Sequence, residues 1–195
     1  MPRYGPSMAI DWKGVWADTA DRLRVDVDRG LGHLVSESVL RWMAIEALAS
    51  HGVDGHRIVT EVLYPELPGA RVDLVVDGSD VVELKMPHGS RTSSSPLTQH
   101  LGSLLVDFQR VAVVPAVGRW VVQVTPTPIG SYLGRLALGW PLKLGDELHV
   151  TPAVVASLPA TARGKMFVTP VTPLARCVLV REVGGGFTLR AYEVN

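Results

Sequence analysis

Two short runs with only Gly78-Ser79 between them restrict this chain more than any other part: Arg71-Val72-Asp73-Leu74-Val75-Val76-Asp77 and Asp80-Val81-Val82-Glu83-Leu84-Lys85-Met86. Their content of β-branched residues around a Gly-Ser break reads as two strands of a hairpin. Side chains alternate between faces along a strand, so Val82, Leu84 and Met86 share one face while Val81, Glu83 and Lys85 share the other. On the preceding strand Val72, Leu74 and Val76 are apolar together, opposite Arg71, Asp73, Val75 and Asp77. Burying both apolar sets on one side of a sheet fixes the register, because a one-residue slip inverts every side chain. A two-residue turn would set Asp73 beside Leu84. A loop with an odd number of residues, or a bulge, sets Asp73 beside Glu83 or Lys85 instead, and so gathers two carboxylates and an ammonium at one spot.

Two carboxylates held together repel and call for a cation, and oxygen-only ligands suit a hard ion such as Mg2+, with Mn2+ as a substitute. Such an ion polarises a phosphoryl group and lowers the pKa of a bound water. A lysine two residues beyond the second carboxylate can orient that water or stabilise charge developing on the phosphate. The three parts together suit phosphodiester hydrolysis.

The flanking sequence supplies a definite order of elements. Residues 36–49 open on Ser36 as an N-cap, close at His51-Gly52 and place Val39, Trp42, Met43, Ile45, Leu48 and Ala49 at helical spacing. Residues 57–64 read as a strand, broken by Pro65 to Gly69. After the hairpin comes a small, polar, basic loop over residues 88–95, then Ser95-Pro96 as a helix opening, with Leu97, Leu101, Leu104, Leu105, Phe108 and Val111 on one face. Residues 119–125 form an almost continuous apolar strand of the kind found at the centre of a sheet. Further on, residues 129–138 suggest a short helix, followed by several short strands. The last two, residues 176–182 and 187–193, bracket Gly184-Gly185-Gly186 as a hairpin. Residues 1–30 read as a helix followed by an extended piece.

The segment from residue 36 to 125 resembles the PD-(D/E)xK, or restriction-endonuclease-like, nuclease superfamily. The resemblance rests on Arg71-Val72-Asp73-Leu74-Val75-Val76 and Val82-Glu83-Leu84-Lys85 within the order helix, three strands, helix, strand. Val72 stands where the family commonly has proline. The resemblance implies that Asp73 and Glu83 hold Mg2+ with the Leu84 carbonyl as a third ligand, and that Lys85 serves the attacking water. It also implies a glutamate from the first helix at the metal; Glu37 fits that place best, with Glu46 the alternative. Arg91, in the loop after the catalytic strand, and Gln99, in the first turns of the next helix, are the nucleic-acid-binding candidates. Asp107 and Arg110, three apart, read most simply as an ion pair within their helix, and Glu61 could face either the site or solvent. The implied reaction is hydrolysis of nucleic acid, DNA rather than RNA, leaving a 5′-phosphate and a 3′-hydroxyl.

Bulk properties bound this reading. With 195 residues and 47% hydrophobic content the chain suffices for one well-packed domain and is short for two. The expected fold is a single α/β domain: a restriction-endonuclease-like core with a mixed central sheet flanked by helices, and a β-rich C-terminal extension over residues 126–195. That extension packs on the core and shapes substrate access or a homodimer contact. No apolar run is long enough to cross a membrane and the N-terminus lacks a signal-peptide pattern, so a cytoplasmic protein with no membrane partner is expected. Zero net charge leaves nucleic-acid binding to a local basic face. Lysine occurs only at positions 13, 85, 143 and 165, which makes Lys85 conspicuous inside an apolar strand. The single cysteine, Cys177, offers neither an internal disulfide nor a zinc cluster. The rival to an enzyme is an inactive module of the same fold that binds nucleic acid or a protein partner.

Overall fold

The computed structural model describes residues 10–67, 69–86, 97–164 and 171–195. Their helices and strands share one seven-stranded sheet with helices on both faces. In chain order the elements are α1 (Trp12–Asp26), α2 (Glu37–Ser50), β1 (Ile58–Leu63), β2 (Arg71–Val76), β3 (Asp80–Lys85), α3 (Leu97–Val113) and β4 (Gly118–Pro126). They continue as α4 (Thr127–Leu133), β5 (Glu147–His149), α5 (Pro152–Ser157), α6 (Ala160–Arg163), β6 (Leu174–Gly184) and β7 (Phe187–Val194). The strand order is β1-β2-β3-β4-β7-β6-β5. Only β3 and β4 run parallel, with α3 as the crossover that such a connection requires. All other neighbours are antiparallel.

Two apolar layers sandwich the sheet. On one face α1 and α2 bury Trp16, Leu23, Leu40 and Leu48 against Leu74, Val76, Val82 and Leu84. On the other, α3 and α4 bury Leu101, Leu105, Phe108 and Ile129 against Val75, Val81 and Val121. Each strand of the hairpin is therefore covered on both sides, which is why Val75 and Val81 are apolar although they stand on the opposite face from Leu74, Val76 and Val82.

The first helix has a regular stripe: Trp12, Val15, Trp16, Thr19, Ala20 and Leu23 are its buried residues, at the i, i+3, i+4 spacing of one helix face. It begins where the Asp11 side chain accepts from the Gly14 amide. No extended piece follows, because residues 27–34 continue in helical turns. In α2 the stripe lies elsewhere than the sequence suggested. Leu40, Ala44, Ala47 and Leu48 point inward while Trp42 stands 58% exposed. After α4 the described residues form three strands, β5, β6 and β7, with the short helices α5 and α6 between the first two. The C-terminal hairpin extends the sheet itself, since β7 pairs with β4 over seven residue pairs. No helix of the described residues is long and apolar enough to cross a membrane.

Candidate active site

The register of the hairpin decides the site. Leu74 pairs with Val82, Val75 with Val81 and Val76 with Asp80, which leaves Asp77, Gly78 and Ser79 as a three-residue connection. Asp77 and Gly78 both take positive φ, 54° and 67°, a backbone that Asp and Gly tolerate better than other residues. The Arg57 guanidinium grips the Asp77 carboxylate with two hydrogen bonds and holds this connection against the start of β1. The odd loop puts Asp73 on the same side as Glu83, so the condition set by the sequence is met. Beyond Leu74 the two strands part. The Asp73 side chain enters the gap, where Oδ2 accepts from the Leu84 amide at 2.8 Å. The parting also corrects one expectation: Val72 packs in the α3-side core with Val75 and Val81, not with Leu74 and Val76.

Asp73 and Glu83 are 7% and 3% exposed, at the floor of a cleft of about 700 Å3. Glu37, Arg41, Glu61, Arg71, Lys85 and Arg110 are among the residues lining it. Lys85 Nζ lies 3.6 Å from Glu37 Oε2 and 3.7 Å from Asp107 Oδ2. Arg110 Nε lies 2.9 Å from Glu83 Oε1, but off the N–H axis, so neither atom gains a well-formed hydrogen bond. A second arginine, Arg41, reaches Asp73 Oδ1 at 2.7 Å and Glu61 Oε1 at 2.5 Å. Glu61 is itself unusual: it sits within β1 at φ 56°.

Electrostatics follow from burying so many charges together. Burial raises the Glu83 carboxyl well above the usual range, and the Asp107 charge and a hydrogen bond to Asp73 add to the rise against the pull of Arg110. Burial also pushes Asp107 up to about 7, with Lys85 and Arg110 opposing. For Lys85, burial favours the neutral amine, but Asp107, Glu37, Glu83 and Asp73 together outweigh it and raise its pKa. Lys85 is therefore an ammonium at neutral pH.

These features bear on a divalent cation as follows. Asp73 and Glu83 present an all-oxygen pair, one member of which resists ionising without added positive charge and keeps an oxygen with no well-formed hydrogen bond. That pair fits a hard cation. No group of three His, Cys, Asp or Glu side chains converges as a metal site among the described residues. Leu84 contributes its amide to Asp73.

Of the other candidates, Glu37 shares the cleft and touches Lys85, whereas Glu46 lies beside Arg22 of α1, away from it. Gln99 does not line the cleft; its place on α3 is more than a turn before Val106, the first α3 residue that does. Arg91 and the loop of residues 88–95, with the Ser95-Pro96 opening, lie outside the described residues.

Three contributors, Asp107, Arg110 and Arg41, escaped the sequence reading as site residues, and Glu61, which it left open between site and solvent, lines the cleft. Asp107 and Arg110 are 3.7 Å apart, but Arg110 makes its shorter contact with Glu83 and Asp107 reaches Lys85. A signal existed: Asp107 falls on the buried stripe, three after Leu104 and four before Val111. Arg41 follows Glu37 by four on α2, one turn along the same face. Glu61 had no distinguishing signal.

Comparison with protein-family models, with curated proteins and with solved structures gives no match.

Proposed function

We propose that this chain is a metal-dependent nuclease of the restriction-endonuclease-like class that hydrolyses phosphodiester bonds, with DNA as its substrate. The observation that carries the reading is the meeting of buried Asp73 and Glu83 beside an ammonium, Lys85, on the floor of an open cleft. The helix, three strands, helix, strand order with a parallel β3–β4 pair supports it at the level of fold.

Asp73 and Glu83 would hold Mg2+ or Mn2+, which supplies Lewis-acid polarisation of the phosphoryl group and acidifies bound water. The chain's own groups do the rest. The Leu84 amide fixes the Asp73 carboxylate, and Arg110 steadies Glu83. Lys85 acts as a fixed positive charge that orients the attacking water and stabilises the charge growing on the phosphate; it is not a proton acceptor. Glu37 and Asp107 hold Lys85 from two sides. Arg71, exposed at the cleft rim with no ion pair among the described residues, is placed to meet a backbone phosphate. A homodimer that spans two strands of a duplex and action in the cytoplasm belong to the same reading.

One observation favours the rival, an inactive binding module: Asp73 and Glu83 each already have an arginine partner within the chain. The deciding experiment incubates wild type and Lys85→Ala with single-stranded, duplex and modified DNA and with RNA, in Mg2+ or Mn2+. Cleavage by wild type that Lys85→Ala lacks supports the nuclease. Equal cleavage by both, or DNA binding with no cleavage by either, removes it.

A further inference from the structure

Arg41 stands where a bound cation would compete with it. Its Nη2 is 2.7 Å from Asp73 Oδ1, one of the two oxygens through which Asp73 could bind a metal, while Oδ2 is committed to the Leu84 amide. A divalent ion at Asp73 and Glu83 would bring two positive charges against a guanidinium that is already in contact. Arg41 has an alternative anchor in Glu61, whose left-handed backbone conformation is costly for a non-glycine residue in a strand. Both residues line the cleft, and the Arg41 Nε–H has no hydrogen-bond partner although it is buried. The side chain thus lines an open space and has one bond, to Asp73, that a metal would weaken. A phosphodiester oxygen entering the cleft is the complementary acceptor.

We propose that Arg41 is exchanged between Asp73 and substrate: it neutralises Asp73 while metal is absent, and on metal binding it turns on its Glu61 anchor to hold a phosphate of the nucleic acid. The device makes metal and substrate binding mutually reinforcing, because each removes the partner that obstructs the other. It rests on the nuclease reading above, from which its test is separable.

The test measures Mn2+ binding by calorimetry on the metal-free protein, with Asp73→Asn locating the site. Binding of a short DNA duplex is followed in a Lys85→Ala background, where the duplex stays intact. Arg41→Gln should bind Mn2+ at least about fivefold more tightly, since a partly buried ion pair no longer competes, and should bind DNA more weakly. Glu61→Gln should weaken Mn2+ binding, because Arg41 then leans wholly on Asp73. Mn2+ should strengthen DNA binding in the Arg41 protein and much less in Arg41→Gln, with Arg41→Lys between them. Thermal unfolding of each variant establishes that it is folded. Opposite shifts of metal affinity in the two variants are not produced by a merely structural ion pair, whose loss lowers stability in both. Mn2+ binding in wild type with unchanged or weakened affinity in Arg41→Gln overturns the exchange alone. No Mn2+ binding that depends on Asp73 overturns both the exchange and the nuclease.

Discussion

Lys85 keeps its proton although it is largely buried, because four carboxylates surround it. Lys85→Ala should therefore lower kcat by about 10^2- to 10^4-fold, the usual range for removing a positioned electrostatic group. Single-turnover cleavage of a labelled duplex measures this. Lys85 should also leave no alkaline limb in the rate profile below pH 10, since its folded value lies above the ordinary one. Asp107 gives a second residue-level prediction, of opposite chemical sense. Its folded pKa, about 7, exceeds the ordinary 3.8, so the folded state takes up the proton more readily than the unfolded state. That contribution to stability is complete below about pH 4 and is lost as the pH climbs through 7. Urea unfolding of metal-free protein at pH 5 and pH 8 should differ by a few kcal/mol at most, roughly the scale of such a shift. Asp107→Asn should flatten the difference, and an unchanged slope would place the titrating group elsewhere. Residues such as Asp107 also show where sequence reading stops. A carboxylate three residues from an arginine has a sufficient local explanation, and that pair does form; only the tertiary packing of α3 on β3 reveals that Asp107 serves Lys85 as well. Arg41 and Glu61 come from separate elements, so their pairing was unreadable in principle from spacing along either one.

At the scale of elements, the hairpin was the most legible part. Burial of its apolar faces demanded an odd loop or a bulge, because alternation with period two allows no other register, and Asp77-Gly78-Ser79 supplies the odd loop. Less legible were helices whose inward stripe is built from small residues. In α2 the buried face uses Ala44 and Ala47, which carry little hydrophobic signal, while exposed Trp42 carries a large one. In α1, Thr19 and Ala20 similarly dilute a stripe that is regular in space. The contact of α3 with α6 is another case, invisible in sequence yet exacting in structure. A Cβ at Gly102 would lie 2.4 Å from the Ala162 carbonyl oxygen and 2.9 Å from the Ala162 Cα, both backbone atoms that cannot swing aside. Gly102→Ala should force α6 away from α3 and cost about 1–3 kcal/mol, the range for overpacking. Chemical denaturation would show it as a lower midpoint, and a midpoint at or above wild type would mean that α6 yields freely.

The whole molecule is tied together by its first helix. Trp12 and Trp16 stack at 5.1 Å between ring centroids, and Trp120 of β4 lies 5.4 and 6.3 Å from them. The Trp12 indole N–H also donates to Asp80 at the start of β3. These contacts span more than a hundred residues of chain and join α1 to the sheet that carries the site. Trp16, fully buried, should cost about 3–5 kcal/mol when replaced by alanine. Far-UV dichroism and tryptophan fluorescence should then lose their signals in one common, earlier transition. Two separated transitions would mean that α1 is an independent unit.

The place of β7 beside β4 has a consequence for how the chain is made. Strand β4 ends at Pro126 and its outer neighbour begins only at Phe187. At roughly 5–20 residues per second on the ribosome, the intervening stretch takes on the order of 3–12 s. Throughout that interval the hairpin, α3 and β4 have already been synthesised, yet the β4 edge that β7 later pairs with has no cover. Such an edge is a template for pairing with another chain. Slower elongation through residues 127–186, or scarce chaperone, should therefore lower the soluble fraction without altering the finished fold.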